Sequence, residues 1–212
     1  MLSFRKSEYQ KLNDELTKLG VPDCEFMSIK GCPVDTLVNT NWPSKPYTEI
    51  LLEYLPKLSN NGQDMVVRAL TVKGNYKASK TLLAMFRSKS TYSESLLWTV
   101  GNAIAVIRDK SSYAEVIEIC KNKELRTSRQ MLFFYVLPRI RTEESYQVLL
   151  DGLSDFGVRG HALDGLGKFG NVEAIEIIEA LEVEKGKNEF KAKQRALKKL
   201  RKKLELSKAD PK

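Results

Sequence analysis

Apolar residues along this chain recur at spacings of three and four positions, the pattern of an amphipathic helix, and strand-like alternation is sparse. One apolar set returns after 33 residues: Tyr113, Val116, Ile117 and Cys120, then Tyr146, Leu149, Leu150 and Leu153. A second set of apolar segments begins at residues 65, 98, 131, 162 and 196, at intervals of 33, 33, 31 and 34 residues. A period of about 30–35 residues is typical of helical solenoids. The pattern therefore predicts an all-α fold.

Each period predicts one helical hairpin, in which a short turn joins a first helix to a longer second helix. The five predicted pairs are 46–58/62–73, 76–87/93–108, 111–121/125–140, 144–153/156–169 and 171–183/188–206. Pro56 and Pro138 lie inside these patterns, where proline ends or kinks a helix. One hairpin cannot bury both of its faces, so we expect residues 46–206 to form one array with a continuous core.

Residues 1–45 do not follow the period, and we expect them to form an N-terminal helical cap. A helix is predicted from Phe4 to Leu19, ended by Gly20. An irregular segment then packs over the first hairpin through apolar residues that include Val34, Leu37 and Trp42. Residues 207–212 are expected to be a disordered tail, and the chain is predicted to be one structural domain.

Three segments carry a resemblance to a known family. They are the proline-containing first helix LLEYLPKL (51–58), the turn with Asp155 and, four residues later, Arg159, and the small-residue helix GHALDGLGKFGN (160–171). Residues 46–204 resemble HEAT repeats, specifically the short bacterial HEAT-like repeats also seen in phycobilisome lyases. The resemblance implies a right-handed α–α superhelix of about five hairpins, an armadillo-like solenoid whose second helices line a concave face. HEAT arrays serve as scaffolds, adaptors, inhibitors and occasionally enzymes, so the resemblance alone specifies no activity.

The apolar runs and the cysteines of the chain indicate the compartment in which the protein is expected to function. The longest apolar run, Met131–Leu137, has seven residues, far fewer than the ~20 of a transmembrane helix. The first ten residues also lack the apolar core of a secretory signal. Cys24, Cys32 and Cys120 match no common zinc-binding spacing. We therefore expect a cytoplasmic protein with reduced cysteines and without membrane contact, bound metal or cofactor.

The net charge of +8 is concentrated near the C-terminus. Residues 185–203 contain ten basic residues and one acidic residue, a net charge of +9, which leaves −1 for the rest of the chain. One interpretation is a solvated end helix whose lysines keep the last repeat soluble. The other is a patch for nucleic acid or an acidic partner, with the candidate residues Lys191, Arg195, Lys198, Lys199 and Lys202.

A second candidate surface follows from the expected concave face. Positions one before, three after and six after each repeat start share one helix face. This ridge is apolar in its middle, at Leu97, Ile104 and Leu137, and basic towards the C-terminus. We interpret it as a protein- or peptide-binding groove; packing between repeats explains the same apolar positions. The candidate partner-binding residues are Arg68, Asn102, Arg129, Phe134, Tyr135, His161 and Lys168.

A charge reversal at Arg129 is expected to weaken partner capture without lowering the melting temperature. Arg126, Arg129, Arg139 and Arg141 are otherwise interpreted as a solvated helix face rather than a phosphate site.

Candidate catalytic groups are few. Asp64 and Asp164 are acids on second helices near the ridge, and Trp98 occupies a repeat start, a position that is more often core. The chain also resembles HEAT-like alkylpurine DNA glycosylases in length and repetition, and such enzymes need an acid beside aromatic side chains. His161 precedes Asp164 by three residues, close enough on a helix for a hydrogen bond. A His–Asp pair without a nearby Ser or Cys nucleophile is weak evidence of catalysis, so an alkylpurine DNA glycosylase-like enzyme is the least favoured of the alternatives.

The sequence therefore predicts a monomeric, non-enzymatic HEAT-repeat scaffold that presents a concave groove to a protein partner as an adaptor, regulator or inhibitor. The alternative is a nucleic-acid-binding protein that uses the basic C-terminal helix. Salt separates the two, because nucleic-acid binding weakens steeply as salt rises and an apolar groove is nearly indifferent to it.

Overall fold

A computed structural model describes residues 9–26, 29–88 and 91–209, and the regular secondary structure in these ranges is helical apart from one ladder of two-residue strands. The chain divides into two compact units, Met1–Asp109 and Lys110–Lys212. This division was not predicted, because contacts in a hairpin array are local and the same periodic sequence suits one array or two. The boundary expected after residue 45 and the superhelical stacking of the hairpins stay predictions.

The N-terminal unit contains the cap and two hairpins. The cap consists of α1 (Gln10–Lys18), the antiparallel strands β1 (Glu25–Phe26) and β2 (Ile29–Lys30), and α2 (Pro33–Asn39). The hairpins are α3 (Thr48–Tyr54) with α4 (Asn60–Leu70), and α5 (Ser79–Arg87) with α6 (Glu94–Ile107). Short 3₁₀ turns flank the first helices at Lys45–Tyr47, Leu55–Lys57 and Tyr76–Ala78.

The C-terminal unit contains the other three hairpins. After a 3₁₀ turn at Lys110–Ser112, α7 (Tyr113–Lys121) packs against a broken second helix, made of a 3₁₀ segment (Lys123–Arg129), a π-helical turn (Leu132–Val136) and α8 (Leu137–Ile140). α9 (Glu143–Asp151), extended by the turn Gly152–Ser154, packs against α10 (Arg159–Phe169). α11 (Ala174–Ala180) packs against α12 (Asn188–Ala209), which also lies along α10.

The five predicted hairpins are confirmed as pairs of helical segments within the described ranges. The predicted breaks are confirmed as well. Gly20 ends the first helix with φ +86°, a left-handed conformation that glycine adopts without a steric penalty. α3 ends at Tyr54 and continues as a 3₁₀ turn through Pro56, and the helix before Pro138 is π-helical.

The cap packs on the first hairpin as expected, but it is more regular than expected. α2 forms where an irregular segment was predicted, because Pro33 occupies the first helical turn, where proline is tolerated. The Asp35 carboxylate accepts a hydrogen bond of 3.0 Å from the Cys32 N–H at the same helix end. Val34 and Leu37 are buried against α4, whereas Trp42 is 40% exposed and does not join the core.

The helix at the C-terminus extends further than predicted. The prediction of a disordered tail from residue 207 is wrong for residues 207–209, since α12 continues to Ala209. Residues 210–212 and the predicted helix start at Phe4 lie outside the described residues.

Two glycines on α10 allow close helix packing, as the sequence predicts for this helix. A Cβ atom on Gly165 would lie 2.7 Å from the carbonyl oxygen of Phe133, and one on Gly167 would lie 2.9 Å from the Cα of Ala196 on α12. Neither contact fits a side chain without a shift of the backbone. α10 is therefore held tightly between the π-helical turn and α12.

A bilayer-crossing helix needs ~20 consecutive apolar residues. None of the helices in the described ranges combines the required length and apolarity.

Candidate functional site

One face of α12 carries basic side chains that are not engaged within the protein. Lys193 donates hydrogen bonds to the carbonyls of Glu179 and Leu181 at the end of α11. Arg201 donates to the Glu179 carboxylate, and Lys203 donates to the Gly170 carbonyl at the end of α10. No hydrogen bond or ion pair among the described residues engages the exposed residues Lys191, Lys198, Lys199 and Lys202. At about 100° per residue these four lie within one stripe of about 100° on the helix. We call these four residues the lysine stripe.

Arg195 lies within the arc of this stripe but is neutralised by an acid. Its guanidinium donates two hydrogen bonds to the Asp164 carboxylate, of 2.9 Å from Nε and 2.5 Å from Nη2. Asp164 is buried on α10, with only 7% of its surface exposed. The pairing raises the pKa of Arg195 and removes the Asp164 charge from the rest of the surface.

The Asp164 carboxylate, which could accept a hydrogen bond from His161, accepts its two hydrogen bonds from Arg195 in the structure. His161 instead contacts the Phe134 ring, with ring centroids 6.0 Å apart in an edge-to-face arrangement. Burial, and to a smaller extent Lys168 and Arg195, lowers the pKa of His161, against the opposing effect of Asp164. His161 is therefore neutral at pH 7.

Lys168 reaches from α10 to the broken helix of the third hairpin. Its Nζ donates a hydrogen bond of 3.0 Å to the Phe134 carbonyl. Residue 138 would donate to that carbonyl in a regular α-helix, but Pro138 has no N–H. The ammonium also lies over two rings, 3.1 Å from the Phe134 centroid and 4.4 Å from the Tyr135 centroid, in cation–π contacts. Pro138 thus creates the acceptor that fixes Lys168 beside the aromatic pair.

Positive charge from two neighbouring elements converges on Lys168. Burial lowers the pKa of Lys168 most. The positive charges of Lys199 on α12 and Arg139 on α8 lower it further, whereas the negative charge of Asp164 raises it. Together these effects bring the pKa from the ordinary 10.5 down to about 8. Asp164, the single carboxylate in this set, is already bonded to Arg195. Lys168, Lys199 and Arg139 thus bring three cationic side chains to this part of the C-terminal unit.

A groove borders this cluster. Its volume is about 470 Å³, and it is lined by Tyr135, Pro138, Arg139, Arg141 and Lys168. Arg141 is tied to the C-terminus of α10, where it donates to the carbonyls of Phe169 and Lys168. A cation at this position also favours the helix end electrostatically. The lining of the groove thus combines an aromatic and an aliphatic side chain with three basic side chains.

The structure brings together part of the predicted set. Phe134, Tyr135, His161 and Lys168 meet in the C-terminal unit, and Arg195 and Lys199 adjoin them. Arg68 and Asn102 lie on α4 and α6 of the N-terminal unit. Arg68 is exposed and pairs with Asp64 one helical turn away, at 2.6 Å, while Asn102 is half-buried.

The prediction that Arg129 contacts a partner is wrong. Its side chain is 2% exposed and pairs with the Asp155 carboxylate, and it donates hydrogen bonds to the Cys120 carbonyl at 2.5 Å and the Arg126 carbonyl at 3.3 Å. All three partners belong to the same unit. Arg129 therefore stabilises the third hairpin, and a charge reversal there would lower the melting temperature.

The apolar ridge is also not a surface groove. Leu97, Ile104 and Leu137 are at most 4% exposed, so packing explains them. The expectation that Trp98 is a core residue is wrong, since it is 42% exposed while its neighbours Leu97 and Val100 are buried. The buried face of α6 therefore includes Leu97, one residue before the predicted repeat start, instead of Trp98.

Arg139 and Arg141 are exposed, as the interpretation of a solvated helix face expects, but sequence reasoning missed that both line the groove beside Lys168. The signal that was available is Pro138, which marks a free carbonyl, followed at once by two arginines separated by one residue. The proximity of Lys168, about 30 residues later, is a tertiary contact without a local pattern.

Metal and thiol chemistry have little support in the described part of the chain. It contains no cluster of three or more His, Cys, Asp or Glu side chains suited to a metal ion. The three cysteines are free thiols. Burial raises the pKa of the Cys120 thiol. Burial and the Asp35 charge also raise the pKa of the Cys32 thiol, to about 11, although a backbone hydrogen bond at Asp35 lowers it. Neither cysteine is therefore a reactive thiolate at pH 7.

Comparisons of the chain with protein-family models, with curated proteins and with solved structures found no match. The resemblance to HEAT repeats therefore stays a prediction.

Proposed function

We propose that this chain is a non-enzymatic, HEAT-like binding protein whose C-terminal unit binds nucleic acid. The observation that carries the proposal is the lysine stripe: four exposed lysines on one face of α12 whose side chains have no hydrogen bond or ion pair within residues 9–26, 29–88 and 91–209. Like charges held together repel one another, and a polyanion along the stripe relieves that repulsion. The sequence-based alternative thereby becomes the better-supported function.

The geometry of the stripe favours a nucleic acid over an acidic protein. Lys191 and Lys202 are eleven residues apart, which corresponds to about 16 Å along the helix axis. Several cations along a length of this size can contact successive phosphates of one strand. Basic residues gathered on one face of a helix are a typical footprint of nucleic-acid binding. Lys168 and Arg139 extend the positive surface from α12 towards the groove.

The test is a comparison of two triple variants by fluorescence anisotropy with labelled DNA and RNA oligonucleotides at low salt. Lys191→Gln/Lys198→Gln/Lys202→Gln removes three charges of the stripe and is expected to weaken binding at least about tenfold, because three phosphate contacts are lost. Lys11→Gln/Lys73→Gln/Lys80→Gln removes the same charge from exposed positions of the N-terminal unit.

The control variant should bind like the wild type. Equal weakening by both triple variants would show that only net charge matters, and absence of binding by the wild type would overturn the proposal.

A second candidate, the protein-binding scaffold, is favoured by one exposed side chain. Phe156 is 80% exposed in the turn before α10, with the Arg159 guanidinium 4.1 Å from its ring centroid. It lies in a groove of about 400 Å³ that also contains Lys123, Arg126 and Asp155. An exposed aromatic side chain beside an arginine is typical of interface hot spots.

If this turn binds a protein, Phe156→Ser should reduce capture of that partner without lowering the melting temperature. Unchanged capture would remove Phe156 from the interface.

The proposed binding form is a cytoplasmic monomer, consistent with three free thiols in a reducing compartment. Sedimentation of the purified chain tests the monomer, and release of bases from alkylated DNA, with Asp164→Asn as the control, tests the enzymatic alternative.

A further inference from the structure

The groove beside Tyr135 combines an uncharged wall with basic side chains, whereas binding of a phosphate backbone requires only the basic side chains. Tyr135 and Pro138 form a wall without charge, and Arg139, Arg141 and Lys168 supply the basic side chains. Its volume of about 470 Å³ lies within the range of roughly 300–1,000 Å³ found for small-molecule sites. Binding of phosphate alone would use the cations and leave the aromatic wall unexplained.

The Tyr135 ring is held in place at the edge of this groove. It makes an edge-to-face contact with Phe134, with centroids 4.5 Å apart and an interplanar angle of 89°. The Arg139 guanidinium lies 5.9 Å from its centroid and the Lys168 ammonium 4.4 Å. Tyrosine rings and arginine planes are the groups on which proteins stack unpaired bases. A flat aromatic surface and cations for a phosphate are therefore within reach of one nucleotide.

We propose that this groove holds one unpaired nucleotide of a single-stranded nucleic acid, with its base stacked on Tyr135 and its phosphate paired with Lys168 and Arg139. The inference rests on the proposed function and adds a preference for single strands. Bases in a duplex are stacked on one another and are not free to contact a side chain, whereas those of a single strand can be splayed out.

The experiment compares three labelled probes of equal length by fluorescence anisotropy at about 150 mM salt. They are an oligothymidylate, an abasic strand with the same phosphates but no bases, and a duplex. The wild type is expected to bind the oligothymidylate about tenfold more tightly than the abasic strand, because stacking on one side chain contributes on this scale. Tyr135→Ala should abolish this preference, and Tyr135→Phe, which keeps the ring, should retain it.

A second measurement on the wild type keeps the proposal testable if Tyr135→Ala fails to fold. Under ultraviolet light the carbon–iodine bond of a 5-iodouracil base breaks, and C5 bonds to an aromatic side chain on which the base stacks, with loss of iodide and a ring proton. Mass spectrometry then locates the crosslinked residue. We expect the crosslink at Tyr135. Competition with thymidine 5′-monophosphate separates the two sources of a nucleotide, and weak competition is expected because the lysine stripe contacts only a strand.

Each outcome decides between the proposals. Equal affinity for the oligothymidylate and the abasic strand, or crosslinks confined to α12, would overturn the nucleotide site and leave nucleic-acid binding intact. Displacement of the strand by equally low concentrations of the monophosphate would identify a free nucleotide as the ligand and also overturn the inference. Absence of binding to all three probes would overturn the proposed function itself.

Discussion

Three arginine–aspartate pairs in this chain show how burial changes the role of one residue pair. Arg68–Asp64 is an exposed pair one turn apart on α4, Arg195–Asp164 joins an exposed arginine to a buried acid, and the Arg129 side chain is 2% exposed in its pair with Asp155. Exposed pairs contribute little because water screens them. Removing one partner of a buried pair leaves an uncompensated charge in a low-dielectric interior.

Arg129→Gln is therefore expected to lower the free energy of unfolding by about 3–5 kcal/mol. Arg68→Gln, which breaks the exposed pair, should lower it by less than about 1 kcal/mol. Urea unfolding followed by circular dichroism measures both. A loss of stability at Arg129 as small as that at Arg68 would show that the buried pair is not a structural support.

The burial of Arg129 was not predictable from the sequence. The local pattern shows a basic residue in a basic segment, which normally indicates a solvated face. Its burial depends on the Cys120 carbonyl, nine residues earlier, and the Asp155 carboxylate, 26 residues later. Long-range partners of this kind leave no periodic signal.

Lys168 predicts a pH dependence of binding that differs from that of an ordinary lysine. Burial, Lys199, Asp164 and Arg139 together bring its pKa to about 8, and neutral His161 adds no charge at pH 7. The protonated ammonium is the form that binds a phosphate, so affinity for an oligonucleotide should fall several-fold as pH rises from about 7 to 9. Lys168→Gln should bind more weakly at pH 7 and lose this dependence, as measured by anisotropy.

The same shift affects folding with the opposite trend. Between pH 8 and its ordinary pKa of 10.5, Lys168 is protonated in the unfolded chain and neutral in the folded one. The unfolded state then binds more protons, so the contribution of this group to stability rises with pH over that window. Its unfavourable effect on stability is fully present below pH 8.

For the binding prediction, a flat oligonucleotide affinity between pH 7 and 9 would show that Lys168 does not contact the ligand.

At the scale of elements, the hairpins follow from sequence because each helix carries its own 3.6-residue pattern. The exceptions have local physical causes. Trp98 is exposed because the buried face of α6 includes Leu97 and Val100 instead. α2 was missed because a proline-rich segment suggests a loop, although Pro33 at a first turn is compatible with a helix. The site around Lys168 depends on Pro138, whose effect on the helix was predicted, but the lysine that uses the resulting carbonyl was not.

The packing of α10 against α12 predicts opposite effects for two glycine substitutions on one helix. Gly167→Ala should lower the free energy of unfolding by about 1–2 kcal/mol, because overpacking against the Ala196 backbone outweighs the gain in helix propensity. Gly160→Ala, whose Cβ would meet nothing closer than 4.0 Å, should leave stability unchanged or raise it by up to about 1 kcal/mol. Thermal unfolding of both variants checks this, and a stabilising Gly167→Ala would contradict the close contact.

At the scale of the whole molecule, charge rather than shape gives the strongest indication of function. The concentration of +9 between residues 185 and 203 is evident from sequence. The structure adds which of these cations are engaged internally and which are not, since Lys193, Arg201 and Lys203 bond to backbone or acid groups and the lysine stripe does not. That distinction requires the positions of α10 and α11 around α12. It identifies which cations of α12 are available to a ligand.

The salt dependence of oligonucleotide binding tests the central claim most directly. Binding by the lysine stripe and Lys168 releases counterions from the phosphates, so the logarithm of the association constant should fall linearly with the logarithm of salt concentration, with a slope of about −3 or steeper. The Lys191→Gln/Lys198→Gln/Lys202→Gln variant should show a slope that is shallower by about 2–3. A slope near zero, or a wild-type slope that the variant retains in full, would contradict the assignment of the lysine stripe as a nucleic-acid-binding surface.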